Sequence, residues 1–346
     1  MPSTVAGPGP SADRDEAWMR RAVELADGVR GTTAPNPWVG AVLVTASGAV
    51  FEGATAPPGG PHAEVVALGR AAAAGEDVAG AALYTTLEPC AHVGRTGPCA
   101  PVIARAGVHR VVVGVLDPDP RVSGRGVAVL QRAGVDVAVG VGAVDVDEQL
   151  AAYCKHRRTG RPWVVLKLAA TMDGRTAAPD GSSRWITGEE ARRDVHRLRA
   201  VSDAVLVGAG TVRADDPELT VRTTPPPARQ PMRVVLGAVA ATARAQPAVS
   251  LSGAPGEVLD ELGRRGVLQV LVEGGARVAH AFHAAELVDR YVLYLAPALF
   301  GGDDARPLFD GPGAGTIDGV WRGRLVSVTH LGDDLRVDLA PRARAA

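Results

Sequence analysis

The residues best suited to chemistry fall in two short stretches. One is HAE, with His62 and Glu64. The other is TLEPCAHVGRTGPC, with Cys90 and Cys99 separated by eight residues. Imidazole nitrogen and cysteine sulfur are preferred zinc ligands, and three of them leave a fourth position for water. Zinc lowers the pKa of bound water to about 7, so hydroxide is available at neutral pH. A carboxylate that is not a ligand can then carry protons, and Glu64 suits that role. Cys99 opens an expected helix, whose free N–H groups favour a thiolate. His62 and Glu64 lie two residues apart and share no helical face, so the histidine is expected at the very start of its helix, just after Pro61. On these residues alone, three rival readings stay open. They are a disulfide, two inert thiols, and a closed structural site of His62, Cys90, His92 and Cys99 that holds no water. Three cysteines in 346 residues do not make a disulfide scaffold, and Cys154 has no partner nearby in sequence.

Two sets of alternating elements must carry these residues. In the first half, apolar spacing predicts a helix over 13–27 and strands at 39–45 and 49–53 around a Ser47-Gly48 turn. A helix at 62–74, a strand at 81–86, a helix at 99–106, a strand at 110–115, a helix at 124–133 and a strand at 135–139 follow. The basic stretch KHRRTGRP (155–162) breaks this pattern. The second half restarts with WVVLKLAA, an apolar run suited to a central strand. Thr187 and Glu190 fit a capping box ahead of the helix EEARRDVHRLRA. Strands near 203–207, 233–236, 268–273, 291–297 and 335–340 alternate with helices near 255–265 and from 276. The expected fold class is α/β in both halves. The expected division is a disordered tail over 1–12, a first domain over 13–150, a linker over 151–162 and a second domain over 163–346.

Composition narrows the function. The chain is 46% hydrophobic and 22% charged, so it can build real cores. A formal net charge of −1 with no long basic run gives no footprint for nucleic acid or an anionic membrane. No apolar run approaches membrane-spanning length and the first residues lack a signal-peptide core, so a cytoplasmic location and a small-molecule substrate are expected.

H-x-E followed by P-C-x-x-C is the signature of zinc base deaminases. Here the first part matches, and the cysteine spacing is longer. PNPWVG (35–40), HAE (62–64) and TLEPCAHVGRTGPC (86–99), in that order, resemble the riboflavin-pathway pyrimidine deaminase family. The resemblance implies a cytidine-deaminase-like three-layer α/β/α domain. It implies zinc held by His62, Cys90 and Cys99, with proton transfer by Glu64. It also implies substrate contacts from Asn36, His92 and Arg95.

In the second half, LKLAATMDGRTA (166–177), DAVLVGAGTVRADDPELTVR (203–222) and VLVEGGARVAHAF (270–282) stand out. Glycines between a strand and a helix let phosphate approach free N–H groups, although Gly274-Gly275 alone would serve equally as a tight turn. Together these blocks resemble the reductase domain of the same pathway, which has a dihydrofolate-reductase-like α/β fold and uses NADPH. The resemblance places Ala169, Trp185, Thr211 and Asp215 beside the cofactor. It places Gly275, Ala276, Arg277, Val278, Ala279, His280 and Ala281 at its phosphates. It places Ser183, Arg199, Leu219, Arg222 and Glu273 at the substrate. Arg199 and Arg222 suit a ribose phosphate, because guanidinium forks match phosphate oxygens.

The family further implies a homo-oligomer. It implies deamination of 2,5-diamino-6-ribosylamino-4(3H)-pyrimidinone 5′-phosphate, then NADPH-dependent reduction of 5-amino-6-(5-phosphoribosylamino)uracil to the ribitylamino product. One departure stands out. After Leu236 the chain runs through a short Ala-rich stretch, and a strand is expected to be shortened or lost between 236 and 257. An active deaminase with an impaired or scaffolding reductase is therefore the alternative.

Overall fold

The computed structural model describes residues 11–92, 97–120, 122–223, 227 and 229–342. The chain divides into two compact units, 1–159 and 160–346.

The first unit opens with α1 (Ser11–Asp27), so the expected tail already turns helical at Ser11; residues 1–10 lie outside the description. Then come β1 (Gly40–Val44), β2 (Val50–Ala54), α2 (Ala63–Ala73), β3 (Ala82–Leu87), α3 (Cys99–Arg105), β4 (Arg110–Val115), α4 (Arg125–Arg132) and β5 (Asp136–Val139). Two further helices follow, α5 (Ala143–Gln149) and α6 (Ala151–Thr159). The sheet order is β2-β1-β3-β4-β5. Strands β1 and β2 are antiparallel, as are β1 and β3, while β3, β4 and β5 run parallel.

Alternation of side chains sets the three layers. A Cβ on Gly40 would strike the Ala22 carbonyl of α1, so α1 presses on that face. Gly53, opposite Ala41, faces the other way, and its Cβ would strike the Ala63 carbonyl of α2. Both glycines are there for close approach, since only a missing side chain lets the helix backbone come so near. α5 joins α1 on one face, and α2, α3 and α4 line the other. A buried Asp15 pins α1 to the sheet by accepting from Tyr84 at 2.9 Å and Arg110 at 2.8 Å.

The stretch expected as a linker is helix α6 as far as Thr159. It belongs to the first unit because Ala152, Tyr153 and Cys154 are buried in it. The preceding α5 is tied to α1 as well, with Gln149 donating to the Val23 carbonyl and accepting at its own carbonyl from Trp38.

The second unit comprises β6 (Trp163–Thr171), β7 (Arg175–Ala177), α7 (Glu189–Ala200), β8 (Ala204–Gly208), α8 (Ala209–Asp215), β9 (Met232–Leu236), β10 (Val249–Leu251), α9 (Pro255–Arg264), β11 (Gln269–Val272), α10 (Ala276–Ala284), β12 (Arg290–Ala296), β13 (Arg306–Pro307), β14 (Gly323–Leu331) and β15 (Asp334–Pro341). Its main sheet runs β10-β9-β8-β11-β6-β12-β15-β14, parallel from β10 to β12 and antiparallel beyond. β6 lies inside it and contributes apolar side chains to both faces. Val164, Leu166 and Leu168 join one core with Leu259, Leu262 and Phe282 of α9 and α10. Val165 joins the other with Ala191 of α7, Val212 of α8 and Tyr294.

Two expectations change. The doubtful strand after Leu236 is shortened rather than lost, because β10 keeps three residues parallel to β9. The capping box at Thr187 does not form. The N-cap of α7 is Gly188, whose N–H donates to the Asp334 carboxylate at 2.7 Å.

Candidate active sites

In the first unit, His62 is the N-cap of α2, with extended backbone angles of −74° and 163°. That placement turns its ring back while Glu64 sits buried in the first helical turn. Cys99 is the first residue of α3, and its N–H donates to the Cys90 sulfur at 3.3 Å. His62 Nδ1 lies 3.2 Å from Cys99 Sγ and 3.6 Å from Cys90 Sγ. The three donor atoms fall within 4.8 Å of one another. His92 is outside this group and is exposed, so the described donors form an open three-ligand set rather than a closed four-ligand one.

The electrostatics fit a divalent cation. A hydrogen bond from Cys99, with help from His62, pulls the Cys90 thiol down to about 4, whereas the same bond and burial push Cys99 strongly up. Cysteine binds a cation as thiolate, so a soft cation bound here would release thiol protons. Hydrogen bonding to Cys90 raises His62. Burial pushes the Glu64 carboxyl up to about 7, which suits a group that must take a proton and then return it.

A cleft of about 280 Å³ opens on this set and is lined by Asn36, His62, Glu64, Cys90 and His92, among others. Asn36 reaches it on the turn closed by its N–H to the Thr33 carbonyl. Arg95, the remaining expected substrate contact, lies outside the described residues. The cleft also holds residues to which sequence reasoning gave no role. Glu88, buried beside the Cys90 loop, accepts from the N–H groups of Asp117, Gly124, Gly126 and Val127 at 2.8–3.2 Å. It thereby binds the loop before α4 to the ligand loop. Gly126 is required there, because a Cβ would strike the Pro89 carbonyl. Asp117, Tyr153 and Arg157 line the same cleft. The available signal for Glu88 was its place in LEPC, two residues before a ligand.

In the second unit the parallel strands end in a cradle. Gly208, the last residue of β8, faces Val278 of α10, and a Cβ on Gly275 would come 3.6 Å from the Thr211 hydroxyl. The structure therefore brings together Thr211, Gly275 and Val278, and the first turn of α10 leaves N–H groups without helical acceptors. These features suit the phosphates of NADPH. Ala279 stands apart, since its N–H already donates to the Gly275 carbonyl and its side chain is in the core. His280 packs on Gly311, and the exposed Arg277 pairs with Asp310. Trp185 is 70% exposed with the Arg192 guanidinium 4.6 Å from its ring centre, and Asp215 accepts from Arg184 at its carbonyl. Ser183 lies in the same loop before α7, and Ala169 lies on β6.

The substrate residues divide. Arg199 forks onto Glu273 at 2.6 and 2.9 Å and donates to the Thr220 carbonyl, so its guanidinium is largely committed inside the protein. Burial raises the Glu273 carboxyl, but Arg199 more than offsets this and holds it below its ordinary range. The Leu219 side chain is in the core, at a left-handed φ of 56°, so only its backbone is left to face a ligand. Arg222 is 59% exposed and pairs with Glu218 at 2.8 Å. Glu218 also pairs with Arg244, from the shortened Ala-rich stretch. Two residues had no assigned role. Lys167 of β6 is pulled below its ordinary range by burial, and its amine is 5.9 Å from the Tyr294 ring centre. His196 of α7 is likewise lowered by burial and accepts from the Arg222 N–H.

Comparisons with known proteins bear on both sites. The family described as "Cytidine and deoxycytidylate deaminase zinc-binding region" matches residues 12–115, and "RibD C-terminal domain" matches residues 162–337. The chain is 43% identical to riboflavin biosynthesis protein RibD of Mycobacterium tuberculosis H37Rv, covering 95% of this chain and 97% of that one. Against the Escherichia coli K12 protein of the same name it is 38% identical, covering 94% and 99%. Among solved structures, Acinetobacter baumannii RibD is similar at 37% identity and a TM-score of 0.89, covering 96% and 100%. A diaminohydroxyphosphoribosylaminopyrimidine deaminase/5-amino-6-(5-phosphoribosylamino)uracil reductase from Thermotoga maritima follows at 34% identity and 0.87, covering 95% and 99%. With both domains matched in order and nearly the whole chain covered, this protein belongs to the RibD family of riboflavin biosynthesis proteins.

Proposed function

We propose that the first unit deaminates 2,5-diamino-6-ribosylamino-4(3H)-pyrimidinone 5′-phosphate and the second reduces 5-amino-6-(5-phosphoribosylamino)uracil. The observation that carries this reading is the assembly of His62, Cys90 and Cys99 beside the buried Glu64 in an open cleft. Zinc, when bound there, supplies the Lewis acidity that makes water nucleophilic at neutral pH. Glu64 takes the proton from the attacking water and delivers it to the departing ammonia. Asn36, His92 and Arg95 orient the pyrimidine. In the second unit NADPH supplies the hydride, and the protein positions sugar and cofactor. Glu273, held ionised by Arg199, fixes the sugar hydroxyls, and Arg222 meets the phosphate.

The impaired-reductase reading is not favoured, since the C-terminal family match runs through the shortened segment and β10 persists. The test is a paired assay on purified protein. Zinc-loaded enzyme should release ammonia from the diaminopyrimidine phosphate and then oxidise NADPH. A chelator should stop the ammonia while leaving NADPH oxidation of the deaminated intermediate intact. Absence of ammonia from zinc-loaded protein would refute the first activity, and absence of NADPH oxidation the second.

Among the described residues no helix is long and apolar enough to cross a membrane. The three cysteines are free, which suits a reducing cytoplasm. A homo-oligomer is proposed as well. Strand β14 ends its sheet with an open edge and exposes Leu325 and Val328, and Ile317 is 71% exposed. Sedimentation of the protein from a cytoplasmic fraction should give at least twice the 35.5 kDa of one chain. A monomeric mass would reject the oligomer.

A further inference from the structure

The deaminase cleft contains a cation that the proposed chemistry does not use. Arg157 projects from α6, the helix that replaces the expected linker, and is the one arginine or lysine among the described residues lining the cleft. Its guanidinium lies 5.0 Å from the Tyr153 ring centre. Nη2 makes one long hydrogen bond, 3.4 Å, to the Pro35 carbonyl next to Asn36. Nε is buried without an acceptor. Buried donors are nearly always satisfied, so an orphan one beside a cavity points to an acceptor that arrives with a ligand.

Two of the cleft's carboxylates have their oxygens engaged elsewhere. Asp117 accepts from the Tyr153 hydroxyl at 3.1 Å and from the Asp119 N–H at 2.9 Å. Both Glu88 oxygens are taken by the four backbone N–H groups described above. The Tyr153 ring and the Pro35 carbonyl fix the guanidinium in the cleft wall. A planar fork with spare N–H groups matches phosphate oxygens, and a desolvated cation is costly unless it meets a charge.

We infer that Arg157 is a specificity residue of the deaminase, binding the 5′-phosphate of the pyrimidine ribosyl substrate. The inference rests on the deamination proposed above, and it is tested by binding as well as by turnover. Arg157→Met keeps the stem over Tyr153 and removes the charge, and Arg157→Lys restores a charge without the fork. Exposed Arg158→Met on the same helix serves as the control.

Loss of one charge-assisted phosphate contact should raise the deaminase KM for the phosphorylated substrate roughly 10- to 100-fold, with kcat within about threefold. KM for the dephosphorylated substrate should not move, and Arg157→Lys should recover part of the loss. In calorimetric titrations with ribose 5-phosphate, which need no turnover and are run in an Arg222→Met background to remove the second unit's phosphate contact, Arg157→Met should bind correspondingly more weakly than its parent. The proposal is overturned if both substrates suffer equally, which would mean that Arg157 only holds Pro35 or balances Asp117. It is overturned also if ribose 5-phosphate binds the variant as tightly as its parent. A wild-type protein that binds ribose 5-phosphate in an Arg157-dependent way but releases no ammonia would refute the reaction and leave this assignment standing.

Discussion

Replacing Glu64 with glutamine should lower the deaminase kcat by roughly 10²- to 10⁴-fold, the usual worth of a positioned general acid–base. The substitution keeps the shape of a side chain that is only 4% exposed, so the fold should survive. It removes a buried carboxyl beside the candidate metal donors whose raised pKa suits it to accept and return a proton. His62, Cys90 and Cys99 are untouched, so the purified variant should carry as much zinc as wild type. NADPH oxidation in the second unit should be unchanged. Zinc content by elemental analysis, ammonia release and NADPH oxidation are the three readouts. A variant that deaminates within threefold of wild type would remove Glu64 from the mechanism and leave a zinc site of structural kind.

The second large effect is expected at Arg199 and Glu273. Their side chains are 12% and 8% exposed, and they are joined by two hydrogen bonds. Removing one partner of such a pair costs about 3–5 kcal/mol, because the other charge stays buried without its counter-ion. Arg199→Met should therefore unfold the second unit at markedly lower urea and abolish reduction, while ammonia release persists. Stability alone would not show what the pair does. The double variant Arg199→Met/Glu273→Met separates the two effects. Exchanging a buried ion pair for apolar side chains is often neutral or stabilising, so stability should return. Reduction should not return, because Glu273 is assigned to the substrate. Recovery of full NADPH oxidation in the double variant would make the pair structural only.

The cluster of His62, Cys90 and Cys99 was legible because it is encoded locally. His62 stands at a helix start and Cys99 at another, and both placements follow from short spacings. Most strands of the two main sheets were legible for the same reason, marked by apolar alternation or continuous apolar runs. Residues whose role depends on distant partners were not. Glu88 is explained only by N–H groups 29 to 39 residues away. The N-cap at Gly188 is set by Asp334, 146 residues later, which overrides the local Thr187 signal. Strand β14 escaped because it is exposed on both sides, so neither face needs a regular apolar pattern. Helix α6 was hidden by its own sequence. Only Ala152, Tyr153 and Cys154 are buried, and the basic residues that follow resemble a solvated connector.

That helix bears on how the two activities can be parted. The basic run marks the natural place to imagine a cut between genes or between expressed fragments. Yet Tyr153 and Arg157 lie beyond residue 150 and form a wall of the first unit's cleft. A fragment trimmed to the sheet and its apolar helices would keep His62, Cys90 and Cys99 and still present an incomplete pocket. The seam lies between Thr159 and Gly160, so a freestanding deaminase of this lineage must bring along nine residues that look like spacer.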